Sequence, residues 1–516
     1  MQFRYHLQTR VLLATSWLGI LLASFVLTCS EGNAQEADTG SKTPPKLKSD
    51  KLAVVSSPLF PFQASGSTAS GDALTATVNL IASQASAKMP KQGHDQFIEA
   101  VRGAVLTHPS VKLAVTDVNF SSSAAREIFS GFMPQVSGVG DLGYRSFGLS
   151  STSEAGVQKS RSPSLGLTVR QLIYDFSATS NAYDAGLARQ RQALAELEAA
   201  RSEFTMRAVI AYIDILRTRS QFLLAEQNVA SRKALRDQVS ERSIAGGGSD
   251  ADVTRADGRY VEALANVTSV ANKLRAAEAQ FAEVFGRDAP EILPAPIDPD
   301  VSKANKPLAD LVRLYAPARS REAARLAAEL DAEASRAKIL PKINVEVSHT
   351  RRSWDGISIG RTGTDTTAIL AMRYDFYTGG ADTARSEQAA FRAGRAAFEF
   401  DLVRRQFERG LSQAKAEVKN SDDLRAARVR SAIAAVRSME AVQEQFRFNR
   451  GSLLDTIKTQ EELYLAGKEI IETLADRLIA RYRLLFFSSQ LDHIFKIGDI
   501  AYLPKELLSV LPGNVR

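Results

Sequence analysis

The feature that most constrains this chain of 516 residues is an internal duplication. Each copy begins with a helical stretch, 97–132 or 308–340, that ends shortly before a proline. Two strand-like segments follow, and the second ends in the same tripeptide, Tyr-Asp-Phe, at 174–176 and at 374–376. Because these landmarks keep their order at offsets of 200 to 207 residues, the sequence predicts two copies of one structural unit.

Each copy continues with a very long helical pattern, Ser177–Ala245 in the first and Thr383–Arg450 in the second. The first run has 69 residues without a proline, so a helix of this length would span roughly 100 Å. Both runs break at a Gly-Ser pair, and an aspartate follows the last glycine by four residues: Gly248 and Asp252 in the first copy, Gly451 and Asp455 in the second. The breaks predict antiparallel helical hairpins with these residues at their tips. The many alanines suit such close helix packing.

Four segments have the alternation of β-strands: 135–147, 164–176, 342–353 and 365–377. In the last of them, Leu370 and Met372 share one face, whereas Arg373 and Asp375 share the other. About ten alternating residues that end in aromatic side chains are typical of membrane barrel strands, whose aromatic girdle would here be Tyr174, Phe176, Tyr374 and Phe376. The alternative is a small soluble hairpin packed on a helix.

The N-terminal 34 residues favour the barrel, because they have the layout of a secretory signal peptide. Arg4 and Arg10 precede the apolar run Val11–Leu27, and small residues surround a predicted cleavage site after Ala34. An uncleaved membrane anchor is the alternative. The only cysteine, Cys29, lies inside this segment, and the Thr before it fits a lipoprotein signal poorly. Four strands cannot close a barrel in lipid, so the barrel must be shared by two chains, with eight strands, or by three, with twelve.

The remaining boundaries follow from composition and from the duplication. Residues 35–93 are rich in Ser, Ala, Thr, Lys, Gly and Pro and predict a flexible extension. The first repeat covers 94–290, a linker covers 291–307, the second repeat covers 308–495, and a tail covers 496–516. The fold class predicted from these parts is mostly α, with long hairpins and a small β part.

The ordered set of landmarks resembles the TolC family of outer-membrane channel proteins over about residues 95–495. The matching elements are His108-Pro109 and Ala316-Pro317 early in each repeat, Pro134 and Pro341 before the strands, the Tyr-Asp-Phe pair, and the two Gly-Ser-x-x-Asp breaks. The resemblance implies a homotrimer with a twelve-stranded outer-membrane barrel and a helical tunnel across the periplasm of a Gram-negative bacterium. It also implies two kinds of partner: a periplasmic adaptor protein and an inner-membrane transporter, either ABC-type or proton-driven.

In that family the hairpin tips close the tunnel, and carboxylates line the pore there. Asp455 matches the acidic pore position and Asp252 is its equivalent in the other hairpin, although each could instead cap its helix. Lys458 and Gly451 depart from the family pattern, because a second acid and an arginine are found there in some members. This puts a double acidic ring and a gate ion pair in doubt. Phe446 and Phe448 are candidates for an apolar closure, or they pack between helices.

The sequence points away from enzymes and several other classes. It contains no Walker loop and no HExxH motif, and it has one cysteine and five histidines, so no catalytic, cofactor or metal site is predicted. The net charge of +7 is small for a chain of this length and does not by itself indicate nucleic-acid binding, which usually leaves a clustered basic face. The leading hypothesis is a passive exit duct for type I secretion or multidrug efflux. The rival hypothesis is a periplasmic coiled-coil adaptor or scaffold, which the duplicated strand pairs disfavour.

Overall fold

A computed structural model describes residues 73–86, 93–151, 154–161, 163–302, 306–354, 361–448 and 450–497. The predicted signal segment with Cys29 lies outside the described residues, as do 35–72 and 87–92 of the predicted extension and 498–516 of the predicted tail, 496–516. Within the described ranges the predicted fold class is confirmed, because the chain is mostly helical and carries a small antiparallel sheet.

The two halves repeat one order of elements. After α1 (Ala73–Ser86), the first half contains α2 (His94–Thr107), α3 (Pro109–Phe129), a 3₁₀ turn (Ser130–Phe132), β1 (Gln135–Asp141), β2 (Tyr144–Ser151), β3 (Glu154–Arg161), β4 (Ser164–Tyr174), α4 (Ala178–Ile244) and α5 (Asp250–Phe285). The second half contains α6 (Leu308–Leu314), α7 (Ala316–Ala337), β5 (Lys342–Trp354), β6 (Arg361–Arg373), α8 (Ala381–Arg447), α9 (Leu453–Phe487) and α10 (Leu491–Ile494). Each half therefore has one helix of 67 residues and a return helix about half as long.

The helical stretch before each strand pair is two helices rather than the single one predicted. His108 separates α2 from α3, and its Nδ1 accepts a hydrogen bond from the backbone N–H of Ser110 at 3.2 Å. Pro109 begins α3, where its missing N–H has no intrahelical partner to lose. The second half breaks in the same way at Tyr315, just before Pro317 in the first turn of α7.

The prediction of a flexible extension over 35–93 is wrong for α1, which is a helix packed into the core. This helix is amphipathic, and one face of it is buried in the main core: Leu74, Val78, Ile81, Ala82 and Ala85. These residues recur at helical spacing, and the burial of that apolar face favours the helix despite its many small polar residues. Composition alone concealed the periodicity.

The predicted linker joins the core through two tyrosines. The hydroxyl of Tyr212 on α4 donates to the carbonyl oxygen of Pro294, and that of Tyr482 on α9 donates to Ile297, both at 2.7 Å. Burial raises the pKa of both tyrosines, so they remain neutral donors. Phe97 packs edge-on against both rings. The main core therefore lies where the two halves and the start of the linker meet.

The strands form a four-stranded antiparallel sheet in the order β1-β4-β5-β6 and a separate hairpin, β2-β3. The β4–β5 pairing joins the two halves, since Val169 lies opposite Val347. The prediction of four strands missed the additional hairpin, because Leu142-Gly143 ends β1 early. The predicted ends of the second and fourth strands were too long, since β4 ends at Tyr174 and β6 at Arg373.

The helices are arranged beside one another in two layers that share α4 and α8. The sheet-proximal layer has the order α3-α4-α7-α8, and both α3 and α7 lead into strands of the sheet. The tip layer has the order α5-α4-α9-α8 and contains the two helix breaks. In both layers α8 is one edge.

Candidate functional site: the sheet and the hairpin tips

The strand registers put apolar side chains on one face of the sheet. The members of this apolar face are Val136, Leu165, Leu167, Val169, Ile343, Val345, Val347, Ala368, Leu370 and Met372. Leu165, Leu370 and Met372 are each more than two-thirds exposed in the single chain. A contiguous exposed apolar face of this kind marks a surface that lipid or a partner covers.

The opposite face of the sheet is mainly polar, although Val139 and Ile369 also lie on it. It carries Ser137, Thr168, Arg170, Glu346, Ser348 and Thr367, among others. Arg170 and Glu346 form an ion pair across β4 and β5, with 3.3 Å between Nη2 and Oε1. Residues that alternate along each strand between an apolar and a polar face are typical of a β-sheet with lipid on one side and water on the other.

The four predicted girdle aromatics lie where the sheet meets the long helices. Tyr174 is the last residue of β4, whereas Phe176, Tyr374 and Phe376 lie in the connections that follow the strands. In each half the tyrosine and phenylalanine ring centroids are 4.7 Å apart. The middle residue differs in its role: Asp175 accepts a hydrogen bond from the N–H of Thr179 in α4, whereas Asp375 lies 3.8 Å from Arg373.

At both predicted tip glycines the chain closely approaches the helix before it, and the approach is tighter at Gly451 than at Gly248. A Cβ on Gly451 would lie 2.9 Å from the backbone nitrogen of Phe446, closer than side-chain carbons normally come. A Cβ on Gly248 would lie 3.2 Å from two backbone atoms of Ser243. The two breaks are therefore tight turns that position the first turns of α5 and α9.

Serines, rather than the aspartates, supply the side-chain caps of the return helices. The hydroxyl of Ser249 accepts from the N–H of Ala251, and that of Ser452 accepts from Leu454, both at 3.2 Å. The alternative left open by the sequence, that each aspartate caps its helix, overlooked these serines. The signal was present, because Ser-x-x-Asp immediately before an apolar run is a helix-start pattern.

The two tip aspartates have different surroundings. Asp252 pairs with Arg255 on the same helix, with 3.2 Å between Oδ1 and Nη1. Asp455 is exposed, and within the described residues it has neither an ion pair nor a hydrogen bond. Lys458 lies one turn after Asp455 and is also exposed. Asp455 is thus the tip carboxylate that is free to face solvent or a second copy.

The two candidate closure phenylalanines also differ. Phe446 is buried between the hairpins in a small cluster formed with Leu235, Val239, Ala256, Leu453 and Ile457. The guanidinium carbon of Arg242 lies 5.6 Å from the centroid of its ring. Phe448 is instead 69% exposed. Phe446 therefore packs between helices of one chain. Of the two phenylalanines, Phe448 is the one whose ring is exposed at the surface.

A buried cation between the two hairpins was missed by sequence reasoning. Arg232 on α4 is 3% exposed and donates to the carbonyl oxygen of Ile457 at 3.2 Å and to Glu461 at 2.7 Å. Burial lowers the pKa of Arg232, and the Glu461 carboxylate opposes this shift. Gln460 donates to the Ser231 hydroxyl beside it at 2.6 Å. These polar contacts fix the first turns of α9 against α4.

The described ranges contain neither a candidate metal centre nor a candidate membrane-crossing helix. No group of three or more His, Cys, Asp or Glu side chains there is placed to hold a metal ion. In the same ranges, every helix lacks the sustained apolar run that a membrane-crossing helix needs.

The chain matches known proteins over most of its length. A family model described as outer membrane efflux protein matches residues 101–287 and 319–487. The outer membrane efflux protein BepC of Brucella suis biovar 1 (strain 1330) is 23% identical over 362 residues, which is 69% of this chain and 77% of BepC.

Solved structures have the same fold. A membrane protein from Pseudomonas aeruginosa has a TM-score of 0.69 at 18% identity, over 76% of this chain and 93% of that one. The CmeC outer membrane channel of Campylobacter jejuni also has a TM-score of 0.69, at 12% identity, over 79% of this chain and 90% of CmeC.

The family match decides between the two hypotheses from the sequence. It covers both halves, including the strands that an adaptor or scaffold would not need. The sheet supplies one face for lipid and one for water. The long helices α4 and α8 begin where strands β4 and β6 end. The chain belongs to the outer membrane efflux protein family and is an outer-membrane exit duct whose helical part lies in the periplasm.

Proposed function

We propose that three copies of the chain assemble into one channel. The observation that carries this is that the sheet and the helices end at the same two edges. The sheet ends at β1 and β6, and the sheet-proximal layer ends at α3 and α8. Since α3 leads into β1 and α8 follows β6, each edge is continuous from helix to strand. A second copy placed edge to edge would therefore extend both layers together.

Physical chemistry requires that these edges be covered. Unpaired backbone groups at an open sheet edge are too costly in lipid, so a membrane sheet must close. The four-stranded sheet of one chain closes with three copies into twelve strands. Tyr174, Phe176, Tyr374 and Phe376 would then form an interfacial girdle at the periplasmic end of the barrel.

Exposed apolar residues on the helical edges support the same pairing. Leu113 and Phe120 lie two turns apart on α3, and Phe391 and Phe398 have the same spacing on α8. Phe120 lies nine residues before the end of α3, and Phe391 lies ten residues after the start of α8. The two stripes are thus at matching distances from the sheet, where α3 of one copy would meet α8 of the next.

The hairpin tips are proposed as the constriction at the periplasmic end. Three copies of Asp455 would surround the axis, and an exposed carboxylate ring attracts cations. Lys458 would sit one turn away and limit the negative charge. Phe448 would supply the apolar contact between tips.

The source of energy and of substrate lies in other proteins. The sequence has no nucleotide-binding loop, so the chain is proposed to conduct passively rather than to act as an enzyme. A periplasmic adaptor would connect it to an inner-membrane ABC or proton-driven transporter. Both protein secretion by a type I system and multidrug efflux fit this arrangement.

The test of assembly targets the helical edge. The double variant Phe391→Asp/Phe398→Asp should lose the heat-modifiable trimer band on gels and the trimer mass in detergent. Ile292→Asp is the control, because it changes another exposed apolar residue, in the linker and outside both edges. A stable trimer in the double variant would contradict the proposed helical contact, and a monomeric wild-type protein would contradict the channel itself.

A further inference from the structure

Helix α1 packs on a surface, here called the α1 seat, that is formed by α4 of the first hairpin and by α8 and α9 of the second. Val78 on α1 faces Gly467 on α9, where a Cβ would lie 2.9 Å from the Val78 Cγ2 atom. The same Cβ would lie 3.2 Å from Leu224 on α4. Gly467 therefore lets three helices approach at one point. Any larger residue would push Val78 out of place.

The C-terminal end of α1 is held separately. Arg425 on α8 donates from Nη1 to the carbonyl oxygen of Ala85 at 2.7 Å, which satisfies a helix-end carbonyl. Helix α1 contacts α4, α8 and α9, and its apolar face belongs to one buried cluster with residues of all three: Leu224 and Ala225, Ala432 and Val436, and Leu463 and Ile470. The helix is thus fixed by packing and by a polar contact that can be altered independently.

The position of α1 relates it to motion of the tips. It contacts α4 of the first hairpin and both α8 and α9 of the second. Within one chain the two hairpins meet mainly along the α4–α9 seam of the tip layer, with smaller contacts such as that of Phe446 near the tips. A change in the angle between the hairpins would alter that seam, and α1 bridges it.

We propose that α1 is a strap that holds the two hairpins of one chain at a fixed angle and thereby resists opening of the tips. Its release would free the α4–α9 seam, so that the tips separate more often. The opening of the channel rests on the proposed function, whereas the coupling between α1 and the seam does not. The two parts are therefore tested by different measurements.

Hydrogen exchange of the full-length protein in detergent tests the coupling. Gly467→Ala should displace α1 and speed exchange of amides at both tips, 246–252 and 450–457, on the order of tenfold. Adding Val78→Ala creates room for the new methyl group, so the double variant should exchange more slowly than Gly467→Ala alone. Gly103→Ala is the matched control, since its Cβ would meet nothing within 4 Å.

A second variant keeps the test informative if Gly467→Ala prevents trimer formation. Arg425→Met removes the polar contact to Ala85 and leaves the apolar part of the α1 seat in place, so it should speed exchange at the tips by a smaller factor. Asn79→Ala on the exposed face of α1 should change nothing. Faster exchange confined to α1, with both tips unchanged, would overturn the strap.

Conductance in planar bilayers tests the consequence for the channel. Gly467→Ala should raise the open probability, and addition of Val78→Ala should lower it again. Faster tip exchange with unchanged open probability would keep the strap and reject its effect on gating. A wild-type protein that forms no channel would reject the proposed function and leave the exchange result intact.

Discussion

The Nη2 atom of Arg232 lies 2.7 Å from the Oε2 atom of Glu461, and this pair joins the first hairpin to the second near their tips. The two side chains are unequally buried: that of Arg232 is 2% exposed and that of Glu461 is 48% exposed. The carboxylate thus reaches in from solvent to a guanidinium that has no access to water. Removal of the carboxylate would leave a buried cation with one carbonyl partner.

Glu461→Gln is therefore expected to weaken the seam. A hydrogen bond to a charged group is worth about 1.5–3 kcal/mol, and the neutral amide recovers only part of it. The thermal midpoint of the detergent-solubilised protein should fall. The control is Glu462→Gln, which alters an exposed neighbour. Equal midpoints for the two variants would show that the Arg232 pair adds nothing to stability.

A second ionic cluster joins the predicted linker to the second hairpin. Asp422 on α8 accepts from Arg477 Nε at 2.5 Å and from Arg481 Nη2 at 3.2 Å, and both arginines also contact Asp298. Burial raises the pKa of Asp422, but the hydrogen bonds and charges of the two arginines outweigh it and leave the pKa below its usual value. The ionised form is thus favoured in the folded state.

The sign of the pH dependence follows from that lowered pKa. The unfolded chain binds a proton on Asp422 more readily than the folded chain does, so this contribution to stability is complete above about pH 4 and is lost as pH falls through the folded pKa. Asp422→Asn should lower the thermal midpoint at pH 7 more than at pH 3. Asp423→Asn, an exposed neighbour, should shift neither. A uniform loss at both pH values would refute the ionic role.

The sequence predicted the long helices and their breaks because those signals are local. A run without proline, a Gly-Ser pair and an aspartate in the first turn each act within one or two turns of helix. The bounds of α4, Ala178–Ile244, lie within one residue of the predicted ones. The alternation of β5 and β6 was equally local, so the faces of their residues could be assigned before any pairing was known.

Features that depend on contacts between distant residues could not be predicted. Arg232 and Glu461 are 229 residues apart, and each reads as an ordinary surface charge on a helix. Helix α1 is short, and its stability comes from α4, α8 and α9 rather than from its own propensity. For Phe446 the sequence left packing and closure open, and only the position of α4 decides it.

Asp455 is the tip residue whose removal should change ion flow. Asp455→Asn preserves size and removes three negative charges from the proposed trimer, so the preference for cations over anions should fall severalfold in planar bilayers. The effect should be large at 0.1 M salt, where the screening length is about 10 Å, and small at 1 M, where it is about 3 Å. Asp252→Asn is the control, because Asp252 is already paired with Arg255. Equal ion selectivity in wild type and Asp455→Asn at low salt would place Asp455 away from the pore.

Two glycines on α8 allow a matched test of helix packing. A Cβ on Gly410 would lie 2.6 Å from the ring of Phe487 on α9, whereas a Cβ on Gly394 would meet nothing within 4 Å. Gly410→Ala should therefore cost about 1–3 kcal/mol from overpacking. Gly394→Ala should gain up to about 1 kcal/mol, because alanine has the higher helix propensity. Phe487→Leu in the Gly410→Ala background should recover part of the loss, since the shorter side chain vacates the clashing position. If both glycine variants stabilise the protein equally, as measured by the thermal midpoint, α8 and α9 do not cross at Gly410 as closely as the structure shows.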